Sequence, residues 1–159
     1  MKGEKTMRTQ LFEDANASHS LFVNAIVNEG GEFKARTFTK VAIELVQRNG
    51  ENQATQNVSF FLDMGDALAW FTMMSDTTWT MELTQFKEFS GKTRGIKISP
   101  TGGKGVRVSI QETNGTEKKL IYFDLSKVKA LEMALVVSAF TKVFFNKKFS
   151  QLLAKEEIQ

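Results

Sequence analysis

Lys34, Arg36, Phe38 and Lys40 occupy every second position of one stretch, interleaving cations with an aromatic ring. In an extended strand alternate residues share a face, so these four side chains stand together. Cations on a sheet face follow phosphates, and aromatic faces stack bases of any sequence; single-stranded nucleic acid needs both. The second half carries a similar stripe. Lys87 and Phe89 share one face there, and Lys92, Arg94, Lys97, Lys104 and Arg107 fall in the adjoining strands and loops. A solvated sheet face with lysines guarding its edges accounts for one such stripe. Two stripes at matching places in a repeat favour a binding surface. The expected stacking rings are Phe38, Phe89 and Tyr122, whereas Phe86 alternates away from Phe89, toward the core.

Other chemistries find little support. The one histidine, His19, falls in a polar segment expected to be mobile, and Glu156 and Glu157 read as a solvated tail. Gly102-Gly103-Lys104-Gly105 lacks the full spacing of a phosphate-binding loop. A strand follows it rather than the helix whose N-terminus would hold the phosphate. It reads as a flexible hairpin tip. There is no cysteine, which removes disulfides, thiolate metal sites and thiol nucleophiles. No metal constellation, no cofactor motif and no nucleophile with a base is present, so a non-enzymatic protein without cofactors is expected.

The elements that must position the stripes repeat. Val58 to Leu62 alternates as a strand and runs through Asp63 into an apolar helix start; Ile121 to Leu125 does the same through Ser126. At an offset of 63 residues Phe60 falls on Phe123, Leu62 on Leu125, Asp63 on Ser126 and Ala67 on Ala130. Asp63 and Ser126 are both suited to cap a helix, since a short side-chain oxygen accepts from a free first-turn N–H. The same offset sets Val23 and Ile26 on Phe86 and Phe89, Phe33 and Lys34 on Ile96 and Lys97, and Ile43 and Leu45 on Val106 and Val108. The pattern predicts one strand-strand-strand-strand-helix unit used twice. In the first unit the strands are 21–27, 32–39, 41–45 and 58–62, with a helix over 65–74. In the second they are 82–89, 94–99, 106–111 and 120–125, with turns at Pro100-Thr101-Gly102-Gly103 and Asn114-Gly115, and a helix from Lys127 to Asn146.

The domain plan is therefore a flexible leader over 1–19, one domain over 20–146 whose units span about 20–75 and 82–146, and a tail over 147–159. A unit near 63 residues leaves much apolar surface wet on its own, so the halves should share a core. Apolar content of 42% and charged content of 25% fit a soluble globular chain. No apolar run approaches the roughly 20 residues that span a bilayer, and 1–19 holds no signal-peptide core, so a cytoplasmic protein without membrane contact is expected. Low proline and absent cysteine suit a bacterial or phage origin. Net charge is only +3, so any anion binding must come from arrangement. The last helix is apolar on nearly every side: Val128, Leu131, Leu135 and Ala139 form one stripe, and Met133, Val136, Val137, Phe140, Val143 and Phe144 cover most of the remainder. Such a helix must be buried on nearly every side. It is expected to pack on its own sheet and on the other half or another subunit, making a homo-oligomer.

Val106-Arg107-Val108-Ser109-Ile110-Gln111-Glu112, a polar loop, then Lys118-Lys119-Leu120-Ile121-Tyr122-Phe123-Asp124-Leu125-Ser126 into a helix resembles the single-stranded-DNA-binding core of the transcriptional positive cofactor four. Two such units in one chain are similar to the plant whirly proteins and the Pur-alpha repeats. The resemblance covers about 20–146, although the lysine-glycine-lysine motif of the plant whirly proteins is not intact, since Val106 follows Lys104-Gly105. It implies an α+β fold of two curved antiparallel sheets packed by helices. It implies single-stranded DNA as ligand in replication, recombination or transcription. It also implies contacts from Lys97, Lys104, Arg107, Lys118 and Lys119, with Lys34, Arg36 and Lys40 as first-unit counterparts. RNA binding, or an assembly factor that oligomerises through its last helix, are the alternatives.

Overall fold

A computed structural model of the chain describes residues 5–29, 37–102 and 105–158. Strands β1 (Lys5–Ala15), β2 (His19–Glu29), β3 (Thr37–Arg48) and β4 (Ala54–Asp63) form one antiparallel meander, followed by α1 (Met64–Met74). Strands β5 (Leu83–Phe89), β6 (Lys92–Pro100), β7 (Val106–Asn114) and β8 (Glu117–Leu125) form a second, followed by α2 (Lys127–Ile158). The architecture is α+β, with the same ββββα order in both units.

Register gives the repeat its physical content. In the first sheet Phe12, Val23, Ile43 and Phe60 stand side by side across the four strands. In the second sheet Leu83, Ile98, Val108 and Phe123 do the same. All eight are buried. The 63-residue offset holds from β4 to β8, where Phe60 matches Phe123. It does not hold upstream: the partner of Phe60 is Ile43 and that of Phe123 is Val108, an offset of 65 (43 to 108). Val23 matches Ile98, not Phe86, and Phe12 matches Leu83. The cause lies in the connections. β7 and β8 are joined by Gly115 and Thr116 alone, with Gly115 at φ 64° as a tight hairpin requires, whereas residues 49–53 separate β3 from β4. A shift of two keeps every side chain on its face, so the alternation survives where the offset fails.

The first unit has the expected four strands, but they lie elsewhere along the chain. The segment assigned to a flexible leader contains β1, paired along its length with β2. The stretches 37–39 and 41–45, assigned to two strands, belong to one, β3. The β1 that was missed makes up the four. The segment assigned to a C-terminal tail continues α2 as far as Ile158. Of the two expected caps, Ser126 Oγ accepts from the Lys129 N–H at 3.2 Å, while Asp63 makes no side-chain cap bond and ends β4 opposite Lys40.

Both sheets and both helices share a single core. β3 and β4 pack against β7 and β8, and α1 packs against α2. On α1 the buried residues are Ala67, Trp70, Phe71 and Met74, one helical face. On α2 they are Ala130, Met133, Ala134, Val137, Ser138 and Thr141, again one face at three- and four-residue spacing. Small residues predominate there and let the helices approach. Phe140 and Phe144 pack partly buried against the core, while Val128, Leu131, Leu135, Val136 and Val143 are exposed.

Because the central rows meet in one core, neither unit should unfold alone. Ile43→Ala is expected to cost about 2–5 kcal/mol. Urea titration of this variant should give one transition, with tryptophan fluorescence and far-ultraviolet circular dichroism coincident. Two separated transitions would disprove the shared core.

Candidate nucleic-acid interface

The faces of the second sheet sort the candidate residues. Its outer face carries the rows Phe86–Gly95–Gln111–Leu120, Thr84–Lys97–Ser109–Tyr122 and Ser99–Arg107–Asp124, with Lys118 opposite Thr113. Lys97, Arg107, Lys118 and Tyr122 therefore share one open surface, and all four are exposed. Lys87, Phe89, Lys92, Arg94 and Lys119 alternate to the other face, at the end of the sheet beyond the buried rows. Lys118 and Lys119, adjacent in sequence, point to opposite sides.

Phe86, assigned toward the core, is on the outer face and 71% exposed. It lies over Gly95, where an added Cβ would stand 2.5 Å from its ring. Glycine in the neighbouring strand is what lets the ring approach that strand so closely. That was the available signal, since a glycine inside a strand marks a close approach. Two rows away, the Arg107 guanidinium sits 4.3 Å from the centre of the Tyr122 ring. It donates to both Asp124 oxygens, at 2.7 and 3.0 Å, a bidentate pair. The Arg107 hydrogen bonds hold the Asp124 carboxyl below its ordinary range, against a smaller opposing effect of burial. Lys97 pairs with Glu82 at 3.7 Å. His19 is not in a leader: it opens β2, and its ring stacks on Tyr122 at 6.3 Å between centres.

The other basic cluster performs a structural task. β4 is an edge strand of the first sheet and presents unpaired carbonyls. Lys87 donates to the Phe61 carbonyl, and Arg94 to the Ser59 carbonyl at 3.3 Å. Arg94 also pairs with Glu112 at 2.8 Å and lies 4.8 Å from the centre of the Phe89 ring. Together with Lys40 and Phe60 these groups line a cleft of about 260 Å³ between the sheets. The cations there close the edge of β4 before they can serve anything else.

In the first unit, Lys34 and Arg36 lie outside the described residues, as does Lys104 in the second. Phe38 pairs with Val27 in β3, and its side chain lies outside the described residues. Lys40 is exposed, on the same face of its sheet as Phe61. Arg8 stands 5.9 Å from the centre of the Phe61 ring, and neither residue was singled out from the sequence, since β1 was not recognised. Among the described residues no group of three or more His, Asp or Glu could hold a metal ion, and no helix is long and apolar enough to cross a membrane.

No protein-family model matches the sequence, and no curated protein matches it either. Solved structures do. WHY1 from Arabidopsis thaliana superimposes with a TM-score of 0.64 at 12% identity, over 96% of this chain and 94% of that one. WHY3 from Arabidopsis thaliana gives 0.64 at 13% identity, over 95% and 97%. The plant transcriptional regulator PBF-2 gives 0.63 at 15% identity, over 96% and 88%. The fold is thus the whirly fold, as the resemblance of the two paired units implied.

The Arg107–Asp124 pair sets a pH dependence. Because the folded carboxyl is held low, the pair contributes above the ordinary aspartate range and is lost as pH falls through the folded value. Both side chains are about half exposed, so the contribution is small. Carbon-detected NMR titration should place the Asp124 midpoint below that of an unfolded aspartate. Arg107→Gln should return it to the ordinary range; a midpoint unmoved by that change would refute the pairing.

Proposed function

We propose that this chain is a non-enzymatic single-stranded DNA-binding protein acting in transcription, replication or recombination, and that the outer face of the second sheet is its binding surface. One observation carries the reading. Exposed rings at Phe86 and Tyr122 lie on one face with Lys97, Arg107 and Lys118, the pairing of stacking surface and cations that single strands need. The shared fold with a plant transcriptional regulator supports the same direction. The protein should bind labelled oligo-dT in preference to the matching duplex at low and moderate salt. Lys97→Ala should reduce the salt slope by roughly 0.7 for a single strand. Phe86→Leu should cost on the order of 1–3 kcal/mol with little change in slope. Equal affinity for duplex, or no binding to oligo-dT, overturns the proposal; stronger binding to oligo-U would turn it toward RNA.

The working form is a homo-oligomer joined through α2. Val128 at 77%, Leu135 at 51% and Val143 at 51% exposure make an apolar stripe on the side away from α1. Leu135 is open in the protomer, so Leu135→Glu leaves the fold intact and puts a charge into the subunit contact. Light scattering should report a smaller mass for the variant, with its far-ultraviolet circular dichroism spectrum retained. An unchanged mass places the contact elsewhere.

A further inference from the structure

The chain has one histidine, and a tight turn of the first sheet holds it against the second. Asn16 Oδ1 accepts from the backbone N–H groups of Ser18, at 3.0 Å, and His19, at 2.8 Å. The Asn16 N–H donates to the His19 carbonyl at 2.9 Å, and Arg48 of β3 donates to the same carbonyl at 3.2 Å. With the backbone fixed in this way, the half-buried imidazole reaches past the edge strand β8 and stacks on Tyr122, the ring planes 22° apart. The Ser18 hydroxyl stands 2.7 Å from Nδ1. Nε2 finds no hydrogen-bond partner among the described residues and is not sealed from solvent. The first sheet thus adds one residue to the outer face of the second, beside Tyr122 and Arg107.

The charges around this ring decide what its proton does. On the second sheet Arg107 lies 4.3 Å from the centre of the Tyr122 ring, with Asp124 committed to it by two hydrogen bonds. Lys97, in the same row as Tyr122, pairs with Glu82. On the first sheet His19 stands opposite Gln47. Asp14 shares its face, opposite Leu21, and accepts from the Ala15 N–H at 2.9 Å. The Arg48 guanidinium is taken up by Ser20 Oγ and by the Asn16 and His19 carbonyls. Among the described residues no carboxylate pairs with His19. In a protonated imidazole both nitrogens donate. Nδ1 then gives its hydrogen to Ser18 Oγ, and Nε2–H is left with a full charge behind it and no acceptor. A phosphate oxygen meets that need with a charge-assisted bond. We propose that His19 is a phosphate contact of the single-strand surface, engaged when its imidazole is protonated, so that the first sheet supplies a proton-sensitive cation to the site on the second. The inference rests on the single-strand reading above and adds a residue and a regulation to it.

Fluorescence anisotropy with labelled oligo-dT, at about pH 8 and about pH 5.5 and constant ionic strength, brackets the range in which histidine changes charge. Oligo-dT changes no charge between these values, and Asp124, held below the ordinary carboxylate range, stays ionised. The full chain should bind about two- to fivefold more tightly at the lower pH. Its salt slope there should be steeper by roughly 0.7, one added phosphate contact. His19→Phe keeps a ring against Tyr122 but takes up no proton. It should bind with the wild-type affinity of the higher pH at both values, which also separates His19 from the α-amino group that titrates nearby. A second measurement needs no variant. The single histidine gives one set of imidazole NMR signals, and by reciprocity its titration midpoint should rise when oligo-dT saturates the protein. Oligo-dT binding that is independent of pH, a pH dependence that survives in His19→Phe, or a midpoint unmoved by oligo-dT each overturn this inference and leave the single-strand reading standing. Absence of oligo-dT binding at both pH values overturns that reading and this inference with it.

Discussion

Each sheet of this chain has one apolar face that its own helix is too small to cover. The row Phe12–Val23–Ile43–Phe60 and the row Leu83–Ile98–Val108–Phe123 are both buried because the two sheets and two helices close over one core. Burial of such side chains contributes roughly 1.5–3 kcal/mol each. Split between separate units, much of that area would return to water. Pairing the faces turns the remaining geometry into a consequence. The inner faces are committed to packing, α1 and α2 meet through their buried faces, and the outer faces and the far side of α2 remain open.

The same constraint explains why basic residues of similar pattern do different work. Where the sheets meet, the edge of β4 has no neighbouring strand, and Lys87 and Arg94 supply donors to its Phe61 and Ser59 carbonyls. These cations complete an otherwise exposed edge and fasten one unit to the other. Lys97, Arg107 and Lys118 are on the opposite face of the same sheet, where they are exposed. Strand alternation alone separates a structural cation from an available one; in this sheet the neighbours 118 and 119 differ in just that way.

Much of the second unit was legible because its strands are short, alternate cleanly and are punctuated by glycine turns. The first unit was less so. β1 holds one buried apolar residue, Phe12, and its register shifts between Gln10 and Phe12, which breaks the alternation that would have announced a strand. Phe86 and Phe89, three apart, had to lie on opposite faces, and alternation gave that correctly. Which face was buried depended on Gly95, a residue of the neighbouring strand, and on the closing of β4's edge by the Phe89 side. Pairing of strands carried that information, and no periodicity within β5 contains it. The residue types of the outer face were legible. Its membership was not, because a list of basic residues in adjoining strands mixes both faces until register is known.

The outer face is electrostatically quieter than its residue types suggest. Arg107 is occupied by Asp124, and Lys97 stands near Glu82. A phosphate arriving there exchanges with a carboxylate instead of meeting a bare cation, so the net gain per contact is small. Phe86 is not occupied in this way, whereas the Tyr122 ring already stacks on His19 and carries the Arg107 guanidinium. Phe86 packs over Gly95 with most of its surface in water, and a base placed on it displaces only water. Meanwhile the Asp124 pair fixes the Arg107 guanidinium beside the Tyr122 ring and removes its conformational freedom in advance. On the proposed function, a face built this way would favour unpaired bases over duplex, because a duplex offers phosphates but keeps its base faces stacked inside. Selectivity for single strands would then come from the rings and the glycine beneath one of them, with the cations setting position.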